Sequence, residues 1–216
     1  MRSKFDEQLK KIKGDVFKMG ELAQRMLKES IIALKNQDIK LANKVYGVKG
    51  KLMKMDDEIE QRCLQTISMY QPMAKDMRVI GVALKLITYL TRIGRYGKDI
   101  AKYVQELQDK PPITKLVSIP HMSEIVNSMI SDALAAYKDE KPVDIKSFIE
   151  RDDDVDALRV SIFREAFTYM MEDNKKIERY MYYVMIARYL ERCADHSCKI
   201  AEKVHYMVTG SRVEIK

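Results

Sequence analysis

Arg188-Tyr-Leu-Glu-Arg-Cys-Ala-Asp-His-Ser-Cys-Lys-Ile-Ala-Glu202 decides the reading of this chain. It has no helix breaker, so it reads as helix. Glu191 and Asp195 then share one face, with Cβ atoms roughly 5–6 Å apart. A second acidic pair, Asp152 and Asp156, lies upstream in Arg151-Asp-Asp-Asp-Val-Asp-Ala-Leu-Arg159. Between the pairs, Met170-Met-Glu-Asp-Asn-Lys175 interrupts the apolar periodicity with turn-forming residues and predicts an antiparallel hairpin. With its turn between Asp173 and Asn174, Asp156 and Glu191 are equidistant from the tip, and so are Asp152 and Asp195. Both helices rise by about 1.5 Å per residue, so the two pairs arrive level and face one another. Four carboxylates so placed require protons, arginines or a metal cation. Arg151, Arg159, Arg188 and Arg192 are near enough in sequence to supply guanidinium instead of metal.

Outward from this hairpin the same pattern repeats. Tyr89-Leu-Thr-Arg92 aligns with Tyr189-Leu-Glu-Arg192 at an offset of 100 residues, and Ile100, Ala101 and Val104 align with Ile200, Ala201 and Val204. In the preceding helix an offset of 103 brings Met55, Ile59 and Leu64 onto Leu158, Ile162 and Phe167. The chain is thus a duplicated three-helix unit. The fold class is all α, with two tandem antiparallel three-helix bundles, the first over 1–108 and the second over 118–210. Asp109-Lys-Pro-Pro-Ile-Thr-Lys115 marks the boundary. Under the two offsets Lys49, Met53, Thr91 and Arg95 replace the four carboxylates, so only the second repeat retains the acidic motif.

The other helices follow from apolar spacing. Phe5 through Leu34 form one long stripe. A second helix starts at its N-cap Asp38, is loosened at Gly47 and Gly50, and ends at Met69-Tyr-Gln-Pro72. A third spans about Lys75 to Leu107. In the second half the helices run from about His121 to Lys138, Asp144 to Met171 and Asn174 to Val208, with the tail from Thr209 frayed.

The longest uncharged run, Cys63 to Ala74, is shorter than the roughly 18 residues of a membrane span. The first residues lack the apolar core of a signal peptide. These features predict a cytoplasmic protein. The odd cysteine count excludes a complete disulfide framework, and Cys63, Cys193 and Cys198 read as small core residues. Met170, Met171, Met181 and Met185 read as core filling, and Tyr180, Tyr182 and Tyr183 as packing partners between helices. A net charge of +7 permits anionic partners without choosing one, but no block of like charge or RNA-binding motif argues for nucleic acid. His196 reads first as a hydrogen-bonded structural histidine and second as a metal ligand. Glu202-Lys-Val-His205 has di-iron spacing but stands alone, which argues against a ferritin-like oxidase. No phosphate loop, nucleophile elbow or zinc-protease motif is present, so the chain reads as a non-enzyme.

Taken together, Leu34-Lys-Asn-Gln-Asp38, Gln71-Pro-Met-Ala-Lys-Asp-Met-Arg78, Arg151-Asp-Asp-Asp-Val-Asp156, Arg188 through His196 and Val208-Thr-Gly210 resemble the PhoU family of phosphate-uptake regulators. The resemblance implies paired three-helix bundles and an adaptor that negatively regulates a phosphate ABC transporter, phosphate signalling, or both. It implies as partners the transporter ATPase or permease, a sensor histidine kinase and a second copy of the chain. Peripheral membrane association would follow from such partners. It also implies multinuclear iron or zinc sites, which fall here on Asp152, Asp156, Glu191 and Asp195; oxygen ligands alone would equally suit Mg, Ca or Mn. Departures lie in the first repeat, where Glu-Arg-Ile-Gly-Asp reads Thr91-Arg-Ile-Gly-Arg95, and at Lys199, where the family commonly has Asn. Lys49 and Arg95 are expected to take the place of a first metal cluster. The alternative to an adaptor is a metal-carboxylate enzyme or metal store built on the same quartet, and a weaker third is a salt-sensitive binder of membrane surfaces or nucleic acid.

Overall fold

Long amphipathic segments with few glycines and prolines fold here as predicted, into helices throughout. The computed structural model describes residues 2–108 and 118–215. The Pro-rich boundary lies outside them. α1 spans Arg2–Asn36, α2 Ile39–Gly47, α3 Lys49–Tyr70, α4 Ala74–Glu106, α5 Ser118–Asp139, α6 Ile145–Glu172 and α7 Ile177–Thr209, with a short 3-10 turn at Asn174–Lys176 before α7. Asp38 and Asp144 are the N-caps of α2 and α6, their carboxylates accepting the N–H of Leu41 at 2.9 Å and of Ser147 at 3.2 Å. The expected second helix breaks at Val48 into α2 and α3, between the two glycines that weaken helix propensity there.

The first repeat comprises α1 to α4 and the second α5 to α7. α4 packs on α1 and also on α7, while α1 meets α5, so both bundles share one continuous core. The repeat is visible in burial as well as in sequence. Leu90 and Leu190 are fully buried, as are Ile100 and Ile200, whereas Leu64 and Phe167 are both more than half exposed. Close approach of α1 and α4 depends on Gly97. A Cβ there would stand 2.8 Å from the backbone nitrogen of Leu27 and 2.8 Å from the carbonyl carbon of Met26.

Rings from both repeats form the seam between α4 and α7. Tyr96 stacks on Tyr189 at 5.2 Å, Tyr103 stacks on Tyr189 at 5.9 Å, and the hydroxyls of Tyr103 and Tyr189 are 3.0 Å apart. Such aromatic pairs contribute beyond the area they bury. Cys63, Cys193 and Cys198 are free and buried in the core.

Two expectations are overturned. Met171 and Met181 do not fill the core: they are 75% and 52% exposed, Met171 on an outward apolar stripe of α6 with Val160, Phe163 and Phe167, and Met181 near the start of α7. Nor is the tail frayed. Gly210 ends α7 in the left-handed conformation, and Ile215 folds back to 5% exposure, its N–H donating to Glu202 at 3.0 Å. No described helix is long and apolar enough to cross a membrane.

Candidate metal centre

The groove between α6 and α7 carries the acidic quartet. Asp152 and Asp156 come from the third and fourth turns of α6, and Glu191 and Asp195 from the middle of α7. Across the hairpin Asp152 and Asp156 both lie close enough to Asp195 for their charges to interact, whereas Asp156 itself is exposed and Glu191 is buried. Asp152 is half-buried and its carboxyl is pushed up to about 6. Burial is the main cause, followed by the negative charge of Asp195, then Asp156 and Asp153, against a hydrogen bond from Cys198. Asp195 is also raised, by burial and by Asp156, although Arg192, Lys199 and Arg188 oppose the shift. Asp152, Asp156 and Asp195 therefore share one electrostatic neighbourhood.

Glu191 is the most buried of the four, at 9% exposure. Its Oε1 lies 3.7 Å from Arg159 Nε on α6 and its Oε2 3.3 Å from Arg192 Nε on its own helix. Arg192 also donates to Asp195 at 2.8 Å. Glu191 Oε2 is buried without a hydrogen-bond partner, and so is Arg159 Nε. Guanidinium thus offsets part of the charge through loose contacts. Among the described residues, no group of three or more His, Cys, Asp or Glu side chains is arranged to hold a metal ion. The donor chemistry still suits a hard cation. Asp152 lies among like charges, and one buried oxygen of Glu191 has an ion-pair neighbour in Arg192 but no hydrogen bond.

Neighbouring residues sort themselves around this groove. Asp153 is exposed, as its angular position predicts. His196 faces the aromatic seam instead of the quartet, lying 5.8 Å from Tyr89 and 6.1 Å from Tyr96, both stacked. Its Nε2 is buried with no partner, so it is held by ring packing and not by a hydrogen bond at that atom. Burial first, then Arg92 and Arg192, lower its pKa to about 4, which keeps it neutral. Lys199 donates to the buried Glu202 at 2.8 Å, so Glu202 is committed to a lysine and to the tail.

The equivalent groove of the first repeat differs. Thr91 Oγ1 donates to Asp56 at 3.0 Å, while Lys49, Met53 and Arg95 are all exposed. Sequence offsets did not single out Asp56, because it lies outside the positions equivalent to the acidic pair. The two basic side chains project to solvent and do not fill a vacated cluster.

Residues 16–104 and again 119–204 match the PhoU domain. A phosphate-specific transport system accessory protein PhoU homolog from Rhizobium meliloti (strain 1021) is 36% identical over 97% of this chain and 89% of its own length. The homolog of the same description from Aquifex aeolicus (strain VF5) is 35% identical, over 98% and 96%. The crystal structure of PhoU from Pseudomonas aeruginosa superimposes with a TM-score of 0.89 at 29% identity, covering 96% of this chain and all of that one. The phosphate transport system regulatory protein PhoU from Streptococcus pneumoniae has the same fold, with a TM-score of 0.86 at 22% identity.

Proposed function

Because the chain belongs to the PhoU family, we propose that it is a non-enzymatic regulator of phosphate uptake, acting by contact with a phosphate-specific transport system. The observation that carries this reading is the double match to the PhoU domain, joined to near full-length similarity to accessory proteins of that system. Its working location is the cytoplasmic side of the membrane, where the ATPase of an ABC transporter lies. Contact with that ATPase lowers uptake; a sensor histidine kinase and a second copy of the chain are further partners. The exposed stripe of Val160, Phe163, Phe167 and Met171 supports a role in protein contact, since an amphipathic helix face left uncovered marks a docking surface.

Asp152, Asp156, Glu191 and Asp195 are proposed to hold iron or zinc. A bound ion would neutralise the quartet and tie α6 to α7, with Arg159 and Arg192 moving off Glu191. This role is structural and regulatory. A metal-dependent enzyme is the competing reading, and the same protein separates the two. Immobilised chain should retain the purified ATPase subunit of the phosphate transporter, and Phe163→Ser with Phe167→Ser should reduce retention at least tenfold. Phosphoester hydrolysis or ferrous oxidation lost in Glu191→Gln, with no retention of the ATPase, would overturn the adaptor reading.

A further inference from the structure

Two of the quoted sequence stretches, Gln71 through Arg78 and Val208-Thr-Gly210, play no part in the acidic groove, yet they meet in space. Arg78, in the first turns of α4, reaches the end of α7, and its guanidinium carbon would be 3.8 Å from a Cβ on Gly210. Beside them is a cleft of about 580 Å³ between α4, α7 and the folded-back tail. Its size is that of a pocket for a whole small molecule.

Four cations line this cleft: Arg78 and Lys85 from α4, Lys203 from α7 and Arg212 from the tail. Glu202 is the single carboxylate in the lining, and it is already taken by Lys199 and the Ile215 N–H. Arg78 Nε is buried with no hydrogen-bond partner. A buried guanidinium nitrogen left unpaired is costly unless a ligand completes it. Arg212 is held over the ring of Tyr206, its guanidinium carbon 5.6 Å from the ring centre, so its planar fork is already placed at the rim. The floor is different in kind. Met77, Val82 and Val213 give it an apolar surface.

We propose that this cleft binds an organic phosphate, a small molecule that combines at least two phosphate charges with an apolar or aromatic body. The excess of cations over free carboxylates sets the charge, and two arginines favour phosphate oxygens, which accept paired N–H donors. The apolar lining and the volume leave room for a body as well as a charged group, which favours an organic phosphate over a lone oxyanion. The lining includes none of Asp152, Asp156, Glu191 and Asp195, and the proposal does not depend on the regulatory role or on metal.

Isothermal titration of the full chain at low salt with ADP, pyrophosphate and orthophosphate tests the assignment. ADP should bind with micromolar affinity, pyrophosphate at least fivefold more weakly, and orthophosphate more weakly still. Arg78→Gln should weaken ADP binding at least tenfold, while Arg164→Gln, on the exposed face of α6, should leave it unchanged. If Arg78→Gln fails to fold by circular dichroism, the surface pair Lys85→Gln with Lys203→Gln decides, with a loss of at least tenfold expected. Absence of ADP binding, equal affinity for pyrophosphate and ADP, or an affinity unmoved by these substitutions would overturn the proposal. So would capture by phosphatidylglycerol vesicles that depends on Arg78 without any ADP binding, since that assigns the cations to a lipid surface.

Discussion

Arg159 on α6 and Glu191 on α7 approach to 3.7 Å, Nε to Oε1, and neither gains a hydrogen bond from the encounter. The contact joins α6 to α7 at one of the four carboxylates proposed to hold metal. Under the proposed metal role, arginine and metal would compete for the same Glu191 oxygens.

Weakening that competitor should strengthen the metal site. In Arg159→Gln, zinc should bind more tightly than in the wild type, and in Glu191→Gln with Asp195→Asn it should bind at least tenfold more weakly. Competition with a chromophoric chelator reads both changes. Zinc should also raise the melting temperature of the wild type, because a ligand bound by the folded state alone stabilises it. No rise at saturating zinc would remove the proposed metal role.

In metal-free protein, Asp152 and His196 should pull stability in opposite directions below neutral pH. The Asp152 carboxyl titrates near 6 when folded and near 3.8 when unfolded, so raising the pH through that window costs stability. His196 titrates near 4 when folded and 6.5 when unfolded, so raising the pH restores stability as the unfolded chain loses its extra proton. Asp152→Asn should therefore be more stable than wild type at pH 7, by about 1–2 kcal/mol after allowance for its partial exposure. That advantage should shrink towards zero by about pH 4, leaving a steeper acid loss from His196. Urea denaturation across the pH range is the measurement, and a constant difference would contradict the assignment.

Gly97→Ala should be strongly destabilising. The added methyl meets the backbone of α1 at 2.8 Å, and backbone cannot rotate aside. Overpacking costs typically 1–3 kcal/mol, occasionally more, and exceeds the roughly 1 kcal/mol that alanine gains in helix propensity. Thermal melting should show a fall of several degrees, whereas Gly81→Ala, with nothing within 4 Å of its Cβ, should not melt lower.

Gln71→Gly should stabilise the turn between α3 and α4. Gln71 holds a left-handed conformation at φ 45°, its side chain exposed, and its N–H donates to Ile67. Glycine adopts that conformation without the penalty of about 1–2 kcal/mol that other residues incur. A gain of about 1 kcal/mol in urea denaturation is expected, and a loss would show that the side chain has a partner.

The helices were legible because apolar spacing and caps agree along the chain, as Asp38 and Asp144 show. The level placement of Asp152 and Asp195 was legible as well, since an unbroken hairpin converts sequence distance into height. Side-chain competition was not legible. Spacing identifies Arg159 and Arg192 as neighbours of Glu191 without saying whether they or a cation satisfy it. Exposure at Met171 and Met181 was equally hidden, because an apolar face reads the same whether its cover lies in this chain or elsewhere. The tail misled for a related reason: only a fold that brings Glu202 beneath Ile215 can bury so short a segment. The cleft joins Arg78 to Arg212, residues too far apart in sequence for any local pattern to connect.

The shared core has an evolutionary corollary. With α4 wedged between α1 and α7, neither repeat can melt while the other stays native, so calorimetry should record a single transition. Foldability is then vested in the pair. Each copy can carry its own chemistry, and Lys49, Met53, Thr91 and Arg95 stand in one half where the other has four carboxylates, within the same architecture.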